Sequence, residues 1–281
     1  MTKKSLDPSQ PIGIFDSGVG GLSILQAIQT ELPHENLLYL GDQGHVPYGP
    51  QPKAEIRNFS VGITRFLLEQ GAKLIVVACN TASAAALHHL REKFPSLPIV
   101  GMEPAVKPAA EHTLTGKVGV LATPTTFSGD LYTALVARFG KGITIFQSTC
   151  PGLVEQIESG KHSAIATRAI LQKALTPMLK EKIDTIVLGC THYPFVIPLI
   201  RDIAGQNIRI IDPSPAVARQ TRRLLTQHGT LNPNGERGKV TFYTSGDPKA
   251  LSGLITSLIG EPAHVLRVVW KDDTTLSASS S

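Results

Sequence analysis

Two of the three cysteines in this chain stand at matching places. Cys79 closes the apolar run "KLIVVAC" ahead of Asn80 and Thr81, and Cys190 closes "DTIVLGC" ahead of Thr191 and His192. In each case a Val/Ile/Leu-rich run hands over to a polar step with a helix expected just beyond. Backbone N–H groups at such a helix start favour an anion and can lower a thiol's pKa from about 8.5 towards neutrality. A single buried cysteine is often only a small core residue; two at equivalent positions ask for a reaction that uses both. Inversion at a carbon acid is such a reaction: one thiolate removes a proton from one face while the other thiol delivers a proton to the opposite face. Cys150, in "STCPGLV", has no symmetric partner and reads as structural.

Rival chemistries fit less of the pattern. A zinc site would show clustered spacings such as C-x₂-C or H-x₃-H, and none surrounds these cysteines. A cysteine hydrolase could pair Cys190 with His192 but leaves Cys79 unexplained. The glycine-rich "FDSGVGGLS" lacks the Lys-Ser/Thr ending of a P-loop and the full G-x-G-x-x-G spacing of a dinucleotide fold. It reads instead as Asp16 at a strand end, with Gly18, Gly20 and Gly21 letting backbone amides approach a small anion; a plain tight turn is the bland alternative.

The elements that must position these groups follow from patterning. Short apolar runs such as "PIGIF", "KLIVVAC", "KVGVLAT" and "DTIVLGC" alternate with stretches of helical period, which predicts an α/β fold with parallel strands covered on both faces. Such folds place functional loops at the carboxyl ends of their strands. The chain also resembles itself: Cys79 to Pro104 and Cys190 to Pro215 share an offset of 111 residues, with "PAV" in register at both ends, and "IGIFDSG" echoes "VGVLATP" at an offset of 106. Two similar α/β halves, each with one thiol, are expected. Beyond residue 210, "AVARQTRRLLTQHG" predicts a helix ended by Gly229, "KVTFYTSGD" a strand and "ALSGLITSLIG" a helix. The closing "TTLSASSS" reads as a disordered tail.

Composition bounds the partners. With 281 residues and 42% hydrophobic content the chain can fill a real core. Its +5 charge is scattered and aromatics are only 5%, which argues against nucleic acid. No run approaches the roughly 20 apolar residues of a membrane span, and "MTKKSLDPSQ" lacks the apolar core of a signal peptide. A cytoplasmic protein with free thiols is expected.

Taken together, "GIFDSGVGGLS", "PYG", "ACNTASA", "CPGLVEQIESG" and "LGCTHYP" closely resemble the glutamate racemases, cofactor-independent enzymes that make D-glutamate for bacterial cell walls; the likeness covers roughly residues 11 to 260. The resemblance implies interconversion of L- and D-glutamate without cofactor or metal, by Cys79 and Cys190 as paired acid/base groups. It implies that Asp16, Ser17, Tyr48, Gly49, Asn80, Thr81, Thr191 and His192 hold the substrate, with Asp16 receiving the ammonium or supporting Cys79, and that His192, oriented by Glu158, assists Cys190. Thr123 and Thr126 are further candidates for the substrate's side-chain carboxylate. An aspartate racemase, or an amino-acid-binding protein without catalysis, would share much of this pattern. The implied fold is two pseudosymmetric α/β domains facing across the site, the first discontinuous (11–101 plus 210–262) and the second 102–209, with flexible tails at 1–10 and 271–281, in a homodimer. One departure stands out. Many members of the family read Gly-Asp-Thr-Ala-Arg where this chain has "GDQGH", which leaves Asp42 and His45 without an assigned role; His45, His88 and His89 are expected to be exposed.

Overall fold

The computed structural model describes residues 7–279. The chain runs through β1 (Ile12–Asp16), α1 (Leu22–Glu31), β2 (Leu37–Gly41), α2 (Lys53–Glu69), β3 (Leu74–Val77), α3 (Asn80–Lys93) and β4 (Ile99–Gly101). It continues through α4 (Val106–His112), β5 (Lys117–Ala122), α5 (Pro124–Phe127), α6 (Asp130–Phe139), β6 (Thr144–Ser148), α7 (Leu153–Glu158), α8 (Ile165–Lys180), β7 (Thr185–Gly189), α9 (Ile197–Ala204) and β8 (Arg209–Ile211). Then come α10 (Ser214–His228), β9 (Val240–Thr244), α11 (Pro248–Ile259), β10 (Val265–Asp272) and β11 (Thr275–Ala278). Every residue of β1, β2, β3 and β7 is buried, with no in–out alternation, as parallel strands covered on both faces require. α10 stops at Gly229, whose φ of +64° suits a residue without Cβ.

Two sheets result. Among the described residues one has seven strands in the order β11-β10-β9-β2-β1-β3-β4, and the other four in the order β6-β5-β7-β8; only β10 and β11 of these pair antiparallel. The central order β2-β1-β3-β4 recurs as β6-β5-β7-β8, and the register recurs with it. Phe15 lies opposite Val77 in the first sheet as Leu121 lies opposite Leu188 in the second, and Val76 opposite Val100 as Val187 opposite Ile211. The offsets of 106 and 111 are thus the spacing of two copies of one pattern. In each copy the direction of winding reverses beside the first strand, the place where open α/β sheets leave a crevice. Asp16 and Cys79 stand at that point of the first sheet, and Thr123 and Cys190 at that point of the second.

Both ends of the chain correct the expected tails. Lys73, fully buried, donates to the Pro8 carbonyl and to Glu35 Oε2, so the segment from Asp7 is tied down; residues 1–6 lie outside the described residues. The supposed tail from 271 forms the end of β10 and the whole of β11, with Leu276 buried against α2; residues 280–281 are again outside. The polar, small residues of "TTLSA" are those of an edge strand with one buried position. The expected boundary at 209/210 falls inside β8, which completes the second sheet through Ile211.

Asp184 ties the second sheet together at its amino end. Its carboxylate accepts from the Thr113 hydroxyl (2.8 Å), the N–H groups of Leu114 (2.6 Å) and Thr115 (2.8 Å), and the Thr185 hydroxyl (2.9 Å). Burial works against the charge, but these bonds hold the carboxyl down at about 2 from its ordinary 3.8. A depressed acid contributes stability above its unfolded pKa and loses it as pH falls through the folded value. Asp184→Asn is expected to lower stability at pH 7 by about 1 kcal/mol, a figure reduced for solvent screening. Urea unfolding should show the difference narrowing from about pH 4 downwards; a difference independent of pH would refute the assignment.

Candidate active site

A cavity of about 300 Å³ opens where the carboxyl ends of the two sets of strands face each other. The first sheet's loops line it with Ser17, Tyr48, Gly49, Cys79, Asn80 and Thr81, and the second's with Thr123, Cys150, Cys190, Thr191 and His192. Asp16 and Glu158 stand behind this wall. All the residues proposed from the sequence are therefore gathered at one place, from segments more than a hundred residues apart.

Cys79 is the N-cap of α3. Its Sγ accepts from the Ala82 N–H at 3.4 Å and lies 3.8 Å from the Ser17 hydroxyl. The helix start was expected to lower this thiol's pKa, and the structure reverses the sign. Burial is the largest influence and pushes the thiol far up, the negative charge of Asp16 adds to it, and the Ala82 and Ser17 contacts recover only part. Asp16, fully buried at the end of β1, accepts from the Gly18 N–H (2.9 Å) and the Thr191 hydroxyl (3.2 Å). Burial raises its pKa as well.

Cys190 has different company. Its Sγ lies 3.6 Å from His192 Nδ1, and His192 Nε2 is 2.5 Å from Glu158 Oε1. Glu158, the last residue of α7, also accepts from the Val19 N–H at 2.7 Å and from Gln43 at 3.4 Å. Burial opposes charge on both partners, but the contacts win. The thiol and the carboxylate raise His192 well above its ordinary 6.5, and His192 with the Val19 N–H brings Glu158 below 4.5. Both shifts favour an imidazolium beside a carboxylate.

The glycine loop explains this geometry. A Cβ on Gly18 would sit 1.9 Å from Glu158 Oε1, and one on Gly20 would sit 2.5 Å from His192 Nδ1. The loop does cradle an anion, but that anion is the Glu158 carboxylate from the other half of the chain. It is close approach, not a turn, that requires glycine here.

The remaining wall is polar and partly unfilled. Both side-chain atoms of Asn80 are buried without a hydrogen-bond partner among the described residues, although Asn80 lines the cavity. An orphaned buried amide costs about 1–3 kcal/mol unless a ligand completes it. Thr81, Thr123 and Thr126 form a hydroxyl chain with spacings of 2.9 and 3.0 Å. Thr125 donates to the Gly49 carbonyl at 2.6 Å, closing the Tyr48–Gly49 loop against α5. No group of three or more His, Cys, Asp and Glu side chains among the described residues is arranged to hold a metal ion.

Three placements were not legible beforehand. Cys150 lines the cavity, buried, with a φ of +44°, and burial pushes its thiol up to about 11. His45 is not exposed: it stacks on Phe59 with ring centroids 4.0 Å apart and meets Asp42, while His88 is exposed as expected and His89 is half-buried. Asp42 is fully buried and takes hydrogen bonds from four side chains.

Comparison with known proteins gives the family. The family model described as Asp/Glu/hydantoin racemase matches residues 20–221. The chain belongs to the Asp/Glu/hydantoin racemase family, among its glutamate racemases. The chain is 48% identical over 251 residues to the glutamate racemase of Roseiflexus sp. (strain RS-1), which spans 89% of this chain and 92% of that protein. Among solved structures, a glutamate racemase isoform from Bacillus anthracis superposes with a TM-score of 0.85 at 32% identity, covering 95% of this chain and 98% of that one. The Escherichia coli glutamate racemase, solved with L-glutamate and the activator UDP-MurNAc-ala, gives 0.80 at 33% identity, with 92% and 97% covered. The two-sheet α/β architecture is that of these racemases, and the enzyme class is isomerase.

The Glu158–His192 geometry makes a direct prediction. By NMR titration, His192 should protonate well above pH 6.5 in the native protein and move down in Glu158→Gln, where the partner charge is lost. Gly18→Ala should move it the same way, because its Cβ displaces the carboxylate. One shared midpoint in all three proteins would dismiss the pairing.

Proposed function

We propose that this isomerase interconverts L- and D-glutamate by two thiols acting on opposite faces of the α-carbon, and that it supplies D-glutamate for peptidoglycan. The carrying observation is that Cys79 and Cys190 occupy equivalent register positions in two copies of one sheet pattern and line one cavity. In the L-to-D direction Cys190 takes the α-proton of L-glutamate: the C–H bond breaks, its electron pair stays on the α-carbon and the proton moves to sulfur. Cys79, entering as a thiol, delivers its proton to the other face, so that the products are D-glutamate, a thiol at Cys190 and a thiolate at Cys79. The reverse reaction exchanges the roles. His192, cationic beside Glu158, meets negative charge on the Cys190 sulfur. At Cys79, where burial and Asp16 disfavour the thiolate, the ammonium group of the bound substrate supplies the compensating positive charge. Asn80 and the Thr81–Thr123–Thr126 hydroxyls offer donors to carboxylates, with Ser17, Tyr48, Gly49 and Thr191 completing the walls. Nothing in this scheme calls for a cofactor.

A cytoplasmic homodimer completes the reading, on the family likeness. No helix among the described residues is long and apolar enough to cross a membrane.

Turnover in deuterium oxide tests the mechanism. Product should carry α-deuterium from the first turnover while unreacted substrate keeps protium, because the incoming hydrogen arrives from the other thiol. Cys79→Ala and Cys190→Ala should each abolish racemisation. Yet each should still eliminate a β-leaving group from one enantiomer of a glutamate analogue, the L-form for Cys79→Ala and the D-form for Cys190→Ala. Protium retained in early product would point to one swinging base, and turnover of aspartate without glutamate would replace the substrate.

His192→Asn gives a separate expectation. It should slow abstraction at the Cys190 face more than at the Cys79 face, so at saturating substrate kcat from L-glutamate falls further than kcat from D-glutamate, with KM shifting by the same ratio because kcat/KM must stay equal in the two directions. Equal losses in kcat from both sides would argue against a role confined to one face.

A further inference from the structure

The single tryptophan of the chain, Trp270, lies in β10, beyond residues 20–221 that the family model matches. Its indole N–H donates to Asp42 Oδ1 at 2.8 Å, and the Ser245 hydroxyl donates to the same oxygen. The other carboxylate oxygen accepts from Tyr48 Oη at 2.6 Å and faces His45 Nδ1 at 3.0 Å. One fully buried carboxylate thus joins the C-terminal hairpin to the tyrosine that lines the cavity. Burial and the charge of Asp42 push the Tyr48 phenol far up, which favours its donor form.

A second observation, independent of these bonds, shows that the fit is built. α2 carries a glycine at its centre, Gly62, where alanine would be worth about 1 kcal/mol more to the helix. A Cβ at Gly62 would lie 2.6 Å from Trp270 Cζ3 and 2.9 Å from the Thr274 carbonyl. The helix gives up a favourable residue so that the indole can lie against it. His45 fills the remaining gap, stacked on Phe59 and meeting Trp270 edge-on with centroids 5.4 Å apart.

We infer that the β10–β11 hairpin is a brace for the substrate cavity, with Trp270 and Asp42 as positioning residues that set Tyr48 and the Pro47–Pro50 loop. The loop is held from two sides at its middle: Asp42 grips it through Tyr48, and Thr125 grips the Gly49 carbonyl from across the cavity. Releasing one grip leaves the cavity wall to fluctuate without removing any group that meets the reacting atoms. The cost falls on binding.

Trp270→Phe keeps an aromatic ring and removes the N–H. Hydrogen exchange read by mass spectrometry should quicken about tenfold in residues 43–51, the scale of one lost bond to a charged acceptor. KM for both enantiomers of glutamate should rise about five- to tenfold, with kcat changed by less than about twofold. Gly62→Ala, which favours the helix and displaces the indole, should give the same pattern in smaller measure. Faster exchange confined to 43–51 and the hairpin supports the brace. Uniformly faster exchange, unchanged exchange, or a loss confined to kcat overturns it. The kinetic half rests on the cavity being the glutamate site, and the exchange half does not. Local loosening in a protein that fails to racemise glutamate would therefore remove the substrate reading and leave the brace standing.

Discussion

The carboxylate of Glu158 is the point through which the two halves of this fold are made to agree. It leaves the end of α7, crosses to the glycine loop after β1, accepts the Val19 N–H, and from there holds His192 beside Cys190. The three segments that meet here, α7, the loop after β1 and the loop after β7, are far apart in the chain. The loop has no side chain at positions 18 and 20 because the space is already occupied by Glu158 and His192. A buried carboxylate with only one partner would be costly. Here a cation and a backbone donor meet the same oxygen, and the charge is favoured in spite of burial.

Asp16 sits at the base of the same loop and is driven the other way. It too accepts a backbone N–H and a hydroxyl, yet complete burial outweighs them and its pKa rises. Two carboxylates a few residues from one turn are thus pushed apart, and the thiols beside them inherit unequal surroundings. Such divergence is how one fold holds an acid and a base at the same pH. The duplicated sheets supply equivalent positions; the side chains behind them break the equivalence.

The sequence made the thiols legible because a repeated apolar run marks the strand and its end marks the site. The Val-rich runs carry fold class and the 111-residue offset carries the pairing of strands. Asn80, Thr81, Thr191 and His192 were readable as neighbours of those cysteines. What stayed hidden depends on contacts across the chain. Nothing local says that Gly18 makes room for Glu158, or that a thiol at a helix start will be raised by burial. The polar "TTLSASSS" segment looked like a tail because an edge strand with one buried leucine has almost no apolar signal. Asp42 and His45 became intelligible only with Trp270, which is more than two hundred residues away.

The unequal backing of the two sulfurs has a thermodynamic meaning. Enantiomers in water have the same free energy, so the overall equilibrium constant is one whatever the catalyst does, and the two directions must share one value of kcat/KM. Inside the cavity no such identity holds, since a chiral wall with an imidazolium on one side only can distinguish mirror-image guests. The population bound at saturation is therefore free to depart from equal hands, and whatever ratio kcat takes between the two directions KM must take as well. A racemic solution and a non-racemic occupancy are compatible on this protein because Glu158 stands behind one thiol and Asp16 behind the other.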